Sequence, residues 1–439
     1  MTRILLKGGC VLTLGARSPN LLRGDVLIED DLVTEVGTGL RAREAEQVDA
    51  TDTIVMPGFV DTHRHTWRSL SRNVGAWPGS GTGEAGDAFR PEDVYAATLI
   101  GLLGAIEAGI TTVVDWSLIR SDDALVDSAL QAHADAGLRT VFVLASRTGT
   151  EDQGSSAPAI RGLMARLGAA TPLTTIAFGS TVSGANDHEQ VAAEWAVARE
   201  LGLRIHAHVE PETSGPGAIA ELARHGLLGA DVTLVHCSSL EDEDIEAIAA
   251  SGASVSLAPS AEMAGRLGTP PIQSLIARDI RPGLGVDDER NTPGDLFAQM
   301  RATISMQHAT VFDRKLAGKS GVPRLMSTRD VIRHATMDGA RAAGLGTVTG
   351  SIEPGKQADI VLLRTDRPNI FPINDPIGAV VWGMDTSNVD WVFVGGRPLM
   401  RNGVLEANVE QARTLATTAQ HRVATTARLA VGSAPEGER

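Results

Sequence analysis

This sequence is poor in aromatic rings, cysteine and lysine. Aromatic residues make up 3 % of 439, and Tyr95 is the only tyrosine. Too few rings remain to stack nucleic-acid bases or to furnish an aromatic-rich interface. Cysteine occurs twice, as Cys10 and Cys237, far apart in the chain. That excludes a disulfide framework and fits a reducing compartment. Lysine occurs only at Lys7, Lys315, Lys319 and Lys356. No apolar run reaches the roughly 20 residues needed to span a bilayer. The opening MTRILLKGGCVLTLG lacks the long apolar core of a secretory signal. Positive charge is in deficit as well: the formal net charge is −15, which disfavours phosphate backbones and anionic membranes. The expectation is a cytoplasmic protein that meets a small molecule, with neither a nucleic acid nor a membrane as partner.

What is present is a regular alternation. Residues 1–57 read as short strands and turns, among them ILLKGG, DVLIEDDLVTEVG and DTIVMPG. The stretch from about 346 to 405 reads the same way, in QADIVLLRTD, AVVWG and VDWVFVGGRPLMRNG. The likeness of the two ends predicts one small β-sandwich built from both termini. Between them, residues 58–345 carry eight strand-like runs: GFVDTHRH, TTVVDW, TVFVLAS, TTIAFGS, LRIHAHVE, VTLVHCS, SVSLAPS and RPGLGVD. Ala-rich amphipathic stretches such as PEDVYAATLIGLLGAIEAG separate them. Strands alternating with helices indicate βα units on a parallel sheet, and eight of them suffice for a closed (β/α)8 TIM-type barrel. Residues 406–439 read as a helix and a tail.

The strand ends carry the chemistry. His63 and His65 sit at i and i+2, a spacing that sends both side chains to one face of a strand. His206 and His208 repeat the pattern, His236 ends VTLVHC, and Asp287 ends RPGLGVD. The C-terminal strand ends form the functional face of a parallel barrel. Imidazoles and a carboxylate converging there make a site for Zn²⁺ or Fe²⁺. A single histidine at a strand end is usually structural; four strands ending in His or Asp in one register are harder to explain that way. His133, His188, His225, His308, His334 and His421 fall in helices or loops and read as ordinary polar residues.

PGFVDTHRH, the HxHxE stretch, LVHCS, GLGVD and GSIEPGKQADIVLL resemble the amidohydrolase superfamily, in its cytosine deaminase and atrazine chlorohydrolase branch. The resemblance runs from the N-terminal strands to about residue 405. It implies a (β/α)8 barrel with a sandwich made from both termini, one divalent metal, and a homodimer or larger assembly. It implies hydrolysis at a carbon bearing an amino, amide or halide group. By position, His63, His65, a fifth-strand histidine and Asp287 would hold the metal, and His236 would polarise the substrate or water. Related two-metal enzymes bridge their ions with a carbamylated lysine. None of the four lysines lies on a predicted barrel strand, so one metal is expected.

One departure bears on the proton shuttle. The family places glutamate three residues after the fifth-strand histidine, whereas here His208 is followed by Val209, Glu210 and Pro211. Three readings stay open: His208 with Glu210, His206 as ligand with Val209 at the glutamate position, or Glu212 swinging in from the loop. Strand parity favours His208 with Glu210. Asp287 would then take the water proton, Glu210 would protonate the ring nitrogen or leaving group, and His236 would stabilise the developing charge. An amine, a ring nitrogen or a chloride are the candidate leaving groups, and an inactive scaffold is a further alternative. Arg64, Trp67, Trp77, Trp116, His206 and Glu262 are the candidate substrate contacts.

Overall fold

The structure, a computed structural model, describes residues 2–73, 89–117, 123–145, 161–162, 164–165, 172–182, 188–265 and 267–426. Five strands come first: β1 (Arg3–Val11), β2 (Leu21–Glu29), β3 (Leu32–Gly37), β4 (Glu46–Asp49) and β5 (Thr53–Pro57). Eight follow: β6 (Phe59–Arg64), β7 (Ile110–Ser117), β8 (Arg139–Ala145), β9 (Thr174–Thr181), β10 (Arg204–Val209), β11 (Val232–His236), β12 (Ser254–Leu257) and β13 (Gly283–Leu284). Four close the list: β14 (Ile360–Arg364), β15 (Val389–Val394), β16 (Arg397–Arg401) and β17 (Val404–Leu405).

The middle eight form one parallel sheet in sequence order, β6 through β13. All eight positions of β7 and all five of β11 are buried. Such runs suit a parallel strand covered on both faces, where alternation would leave polar groups without water. Helices return the chain between strands. Pro91–Glu107 lies between β6 and β7; Pro91 occupies the first turn, and Asp93 accepts the Arg90 amide at 2.8 Å. Both features supply what a helix start lacks. The expected (β/α)8 barrel is therefore the fold. It is nearly closed: a parallel bridge joins Arg64 to Asp287, with Asp287 N–H donating to His63 O at 2.7 Å and His65 N–H to Asp287 O at 3.0 Å.

The termini meet in a second, nine-stranded mixed sheet, in which β5 pairs with both β1 and β14. Ile4, Leu6, Val26, Ile28, Val55, Ile360 and Phe393 share its core. The resemblance between the two ends thus reflects a shared sheet. A buried ion pair ties this sheet to the barrel: Arg139, at the start of β8, grips Asp359 through Nε at 2.6 Å and Nη2 at 3.0 Å. The Gly395 amide donates to the same carboxylate at 2.8 Å. Removing one partner of a buried pair strands the other charge in low dielectric. Asp359→Ala is expected to destabilise the chain by about 3–5 kcal/mol, read as a fall in the denaturant midpoint. An unchanged midpoint would show that the pair contributes nothing.

No helix among the described residues is long and apolar enough to cross a membrane.

Candidate metal centre

A register break near the end of β6 aims the first histidines. Asp61 pairs with Val113, but Arg64 pairs with Asp115, so three steps on β6 match two on β7. This bulge turns His63 and His65 into the barrel after Val60, which packs in the interior with Val114 and Trp116. From β10, His208 points inward. The seam to β13 then delivers Asp287 beside them.

The four side chains converge. His63 Nε2 lies 3.3 Å from His208 Nε2 and 3.4 Å from Asp287 Oδ1, and His65 Nε2 lies 3.4 Å from the same oxygen. A tetrahedron of ligands about 2.0–2.1 Å from a zinc ion has edges of about 3.3–3.4 Å. The donor set and spacing therefore fit one divalent cation. His65 Nδ1 lies 3.1 Å from Trp116 O. A carbonyl only accepts, so Nδ1 carries the proton and Nε2 turns its lone pair to the centre. Burial pushes the imidazoles of His63, His65 and His208 below their ordinary range, the last two well below. Burial therefore favours the neutral imidazole, the form a metal ligand needs. Burial alone would raise Asp287, but the facing His63, His236 and His65 outweigh it and hold the carboxyl well below the usual range.

A second group lies beside the first. Ligand atoms of His208, Glu210 and His236 all fall within 4.8 Å of one another. Glu210 follows the last residue of β10 and is half-buried. His236 Nδ1 meets Glu262 Oε1 at 3.2 Å, and the Ala258 amide donates to that oxygen at 2.8 Å. Burial lowers His236, yet the Glu262 bond and the charges of Asp287, Glu262 and Glu210 overcome it and raise the imidazole. The backbone here is strained. His236, Cys237 and Asp287 have φ of 73°, 59° and 63°, a region that costs a non-glycine residue about 1–3 kcal/mol.

The remaining candidates divide. The Trp116 ring centroid stands 3.9 Å from that of His208, and the ring packs on the imidazole cluster. Glu262 is fully buried against His236. His206 faces the barrel interior two residues deeper than His208, fully buried, with neither ring nitrogen bonded; it does not join the ligand cluster. Arg64 lies between Asp61 and Glu289, at 3.0 Å from each, and donates to Gly294 O at 3.3 Å. It braces the seam and is not placed among the imidazoles. Trp67 packs edge-on against Phe89, 5.8 Å between centroids, under Arg68. Trp77 lies outside the described residues, as does the side chain of Glu212. Two bracing residues escaped the sequence reading. Asp61 accepts the Val286 amide at 3.0 Å and the Arg64 guanidinium, and Glu289 takes Arg64, Arg72 and Ser69. For Glu289 the carboxylate run after Asp287 was the available signal.

A sequence profile described as Amidohydrolase family matches residues 54–399. The chain belongs to the amidohydrolase family. Among its amidohydrolase relatives is the 5'-deoxyadenosine deaminase of Methanothermobacter thermautotrophicus, 30 % identical over 428 residues, covering 93 % of this chain and 95 % of that one. Another is the 5-methylthioadenosine/S-adenosylhomocysteine deaminase 1 of Syntrophus aciditrophicus, 27 % identical, covering 94 % and 96 %. An adenosine deaminase from Xanthomonas campestris with bound zinc superposes with a TM-score of 0.84 at 21 % identity, covering 97 % and 99 % of the two chains. The atrazine chlorohydrolase of Arthrobacter aurescens complexed with zinc gives 0.84 at 23 % identity, covering 95 % and 100 %. At these identities the two structures speak for the shared fold. The activity class of this amidohydrolase is hydrolysis of a C–N bond other than a peptide bond.

The tether makes a pH prediction. Glu262 raises His236, so Glu262→Gln should lower its pKa. If imidazolium is the working form, the alkaline limb of kcat/KM moves to lower pH. A profile that does not move would detach His236 from that limb.

Proposed function

We propose that this amidohydrolase is a zinc-dependent deaminase releasing ammonia from an amino-substituted heterocycle of the adenosine type. The observation that carries the reading is the meeting of three buried imidazoles and Asp287 at cation spacing, with Glu210 and a tethered His236 on one flank. The names of the full-length relatives supply the purine nucleoside. Zinc is the metal that the three-imidazole, one-carboxylate set favours.

His63, His65, His208 and Asp287 would hold a divalent cation, which would supply Lewis acidity and lower the pKa of a water from about 16 toward about 7. Asp287 accepts the proton of the attacking water. His236, held by Glu262 with Nδ1 toward that carboxylate, donates from Nε2 to the charge developing on oxygen. Glu210 delivers a proton to the ring nitrogen, which makes the carbon electrophilic; the proton taken by Asp287 then passes to the amine, which leaves as ammonia, and the hydroxyl proton returns to Glu210 as the carbonyl forms. Burial of all four cation-holding side chains keeps bulk water from screening these interactions.

The reading extends to where the protein works. Cys10 and Cys237 are both free thiols, consistent with the cytoplasm. Phe371 and Trp382 are 70 % and 49 % exposed, and Asn369 and Gly383 beside them are hydrogen-bonded. A homo-oligomer belongs to this reading on the family resemblance, with Phe371 and Trp382 as exposed apolar side chains that an interface would cover.

Ammonia release is the test, assayed with 5'-deoxyadenosine, 5-methylthioadenosine, adenosine, cytosine and a chloro-triazine. Ammonia from a purine nucleoside is expected. Halide from the triazine with no ammonia from any amine would replace deamination by dehalogenation.

A further inference from the structure

Away from the barrel mouth, two histidines that the sequence left unremarkable meet around one carboxylate. Glu221 and His225 stand at i and i+4 on the helix Ala218–Arg224 and its C-terminal edge, a spacing that puts both on one face. His188 opens a different helix, His188–Glu200. His225 Nε2 lies 3.0 Å from Glu221 Oε1 and His188 Nε2 lies 3.9 Å from the same atom. The two rings stack with centroids 4.8 Å apart and planes inclined by 24°. The other oxygen, Oε2, takes the Arg224 Nε–H at 2.7 Å. That bond holds the carboxylate in place and leaves Oε1 to face both imidazoles. Ligand atoms of all three residues fall within 4.8 Å of one another.

We infer that His188, Glu221 and His225 form a second, peripheral site for a late first-row divalent cation, Zn²⁺ in the first instance. Two imidazoles and one carboxylate select zinc, copper, nickel or cobalt over magnesium or calcium, which prefer an all-oxygen shell. The same two-histidine, one-glutamate set serves zinc elsewhere with a fourth position left to water. Side-chain exposures of 27 %, 32 % and 49 % give an ion direct access from solvent. A purely structural role accounts for the Glu221–Arg224 and Glu221–His225 contacts. It does not account for a second imidazole stacked on the first with its Nε2 toward the shared oxygen. An ion bound there would pin the helix entering β10 to the helix leaving it. β10 is the strand that carries His208.

The test is zinc stoichiometry on the intact chain by equilibrium dialysis at micromolar free zinc, beside a His188→Ala/His225→Ala double variant. Native protein should take up one zinc per chain more than the double variant, with turnover at low zinc the same in both. Added zinc should raise the melting temperature of the native chain further than that of the variant, and magnesium should not reproduce the rise. Equal zinc uptake by the two proteins would overturn the assignment, as would a rise that magnesium reproduces. The site does not depend on catalysis: a His63→Ala chain, lacking the catalytic ion, should still bind the peripheral zinc.

Discussion

His63→Ala is expected to lose bound metal and at least about 10³-fold in kcat/KM, a deficit of roughly 4 kcal/mol at about 1.36 kcal/mol per decade. His63 sits at the middle of the cluster, within 3.3 Å of His208 Nε2 and 3.4 Å of Asp287 Oδ1. Alanine removes the one donor that adjoins both. Without the ion, an attacking water returns toward a pKa of about 16, and hydroxide is no longer available near neutral pH. Metal content of the dialysed variant and its turnover should fall together. A variant that keeps metal but loses activity would move His63 from metal binding to positioning, and one that keeps both would remove it from the site. A thermal melt beside the assay separates loss of the ion from loss of the fold.

Glu210→Gln should behave in the opposite way with respect to metal. The amide keeps the shape of the side chain, and His63, His65, His208 and Asp287 remain to hold the ion. What disappears is the proton. Turnover should drop by about 10²–10⁴-fold, the usual worth of a positioned general acid or base, while metal content stays at the native level. Glu212→Gln is the internal comparison. Should Glu210→Gln stay fully active and Glu212→Gln fail, the shuttle is Glu212, on the short helix Pro211–Ser214. The placement of Glu210 against His208 and His236, within 4.8 Å, motivates the first outcome.

Strand parity placed His208 and Glu210 on the same side of β10, and that much of the arrangement was legible from spacing. For β6 the same rule met a complication. His63 and His65 do share a face, but the bulge between Asp61 and Arg64 decides that it is the inner one. A two-residue period cannot reveal an inserted residue, because the extra unit leaves no mark in composition. Arg64 shows the limit from the other side. Its position between two histidines made it a candidate substrate contact, yet parity turns it outward, and Asp61 and Glu289 take its charge at 3.0 Å. That a carboxylate 225 residues further along would meet it could not be read from local pattern. His188 and His225 are a similar case, ordinary on their own helices and adjacent only because consecutive βα units pack side by side.

The chain's alternation of apolar runs and amphipathic stretches was enough to determine the barrel, the shared terminal sheet and the kind of residues at the strand ends, because those properties depend on periods of two and 3.6 along the backbone. Which of those residues touch was decided by the folded chain alone. Closure of β13 against β6 through the Arg64–Asp287 bridge sets the Asp287 carboxylate beside the imidazoles. The spacing within that cluster follows from barrel curvature and one bulge, both of them relations between strands distant in sequence.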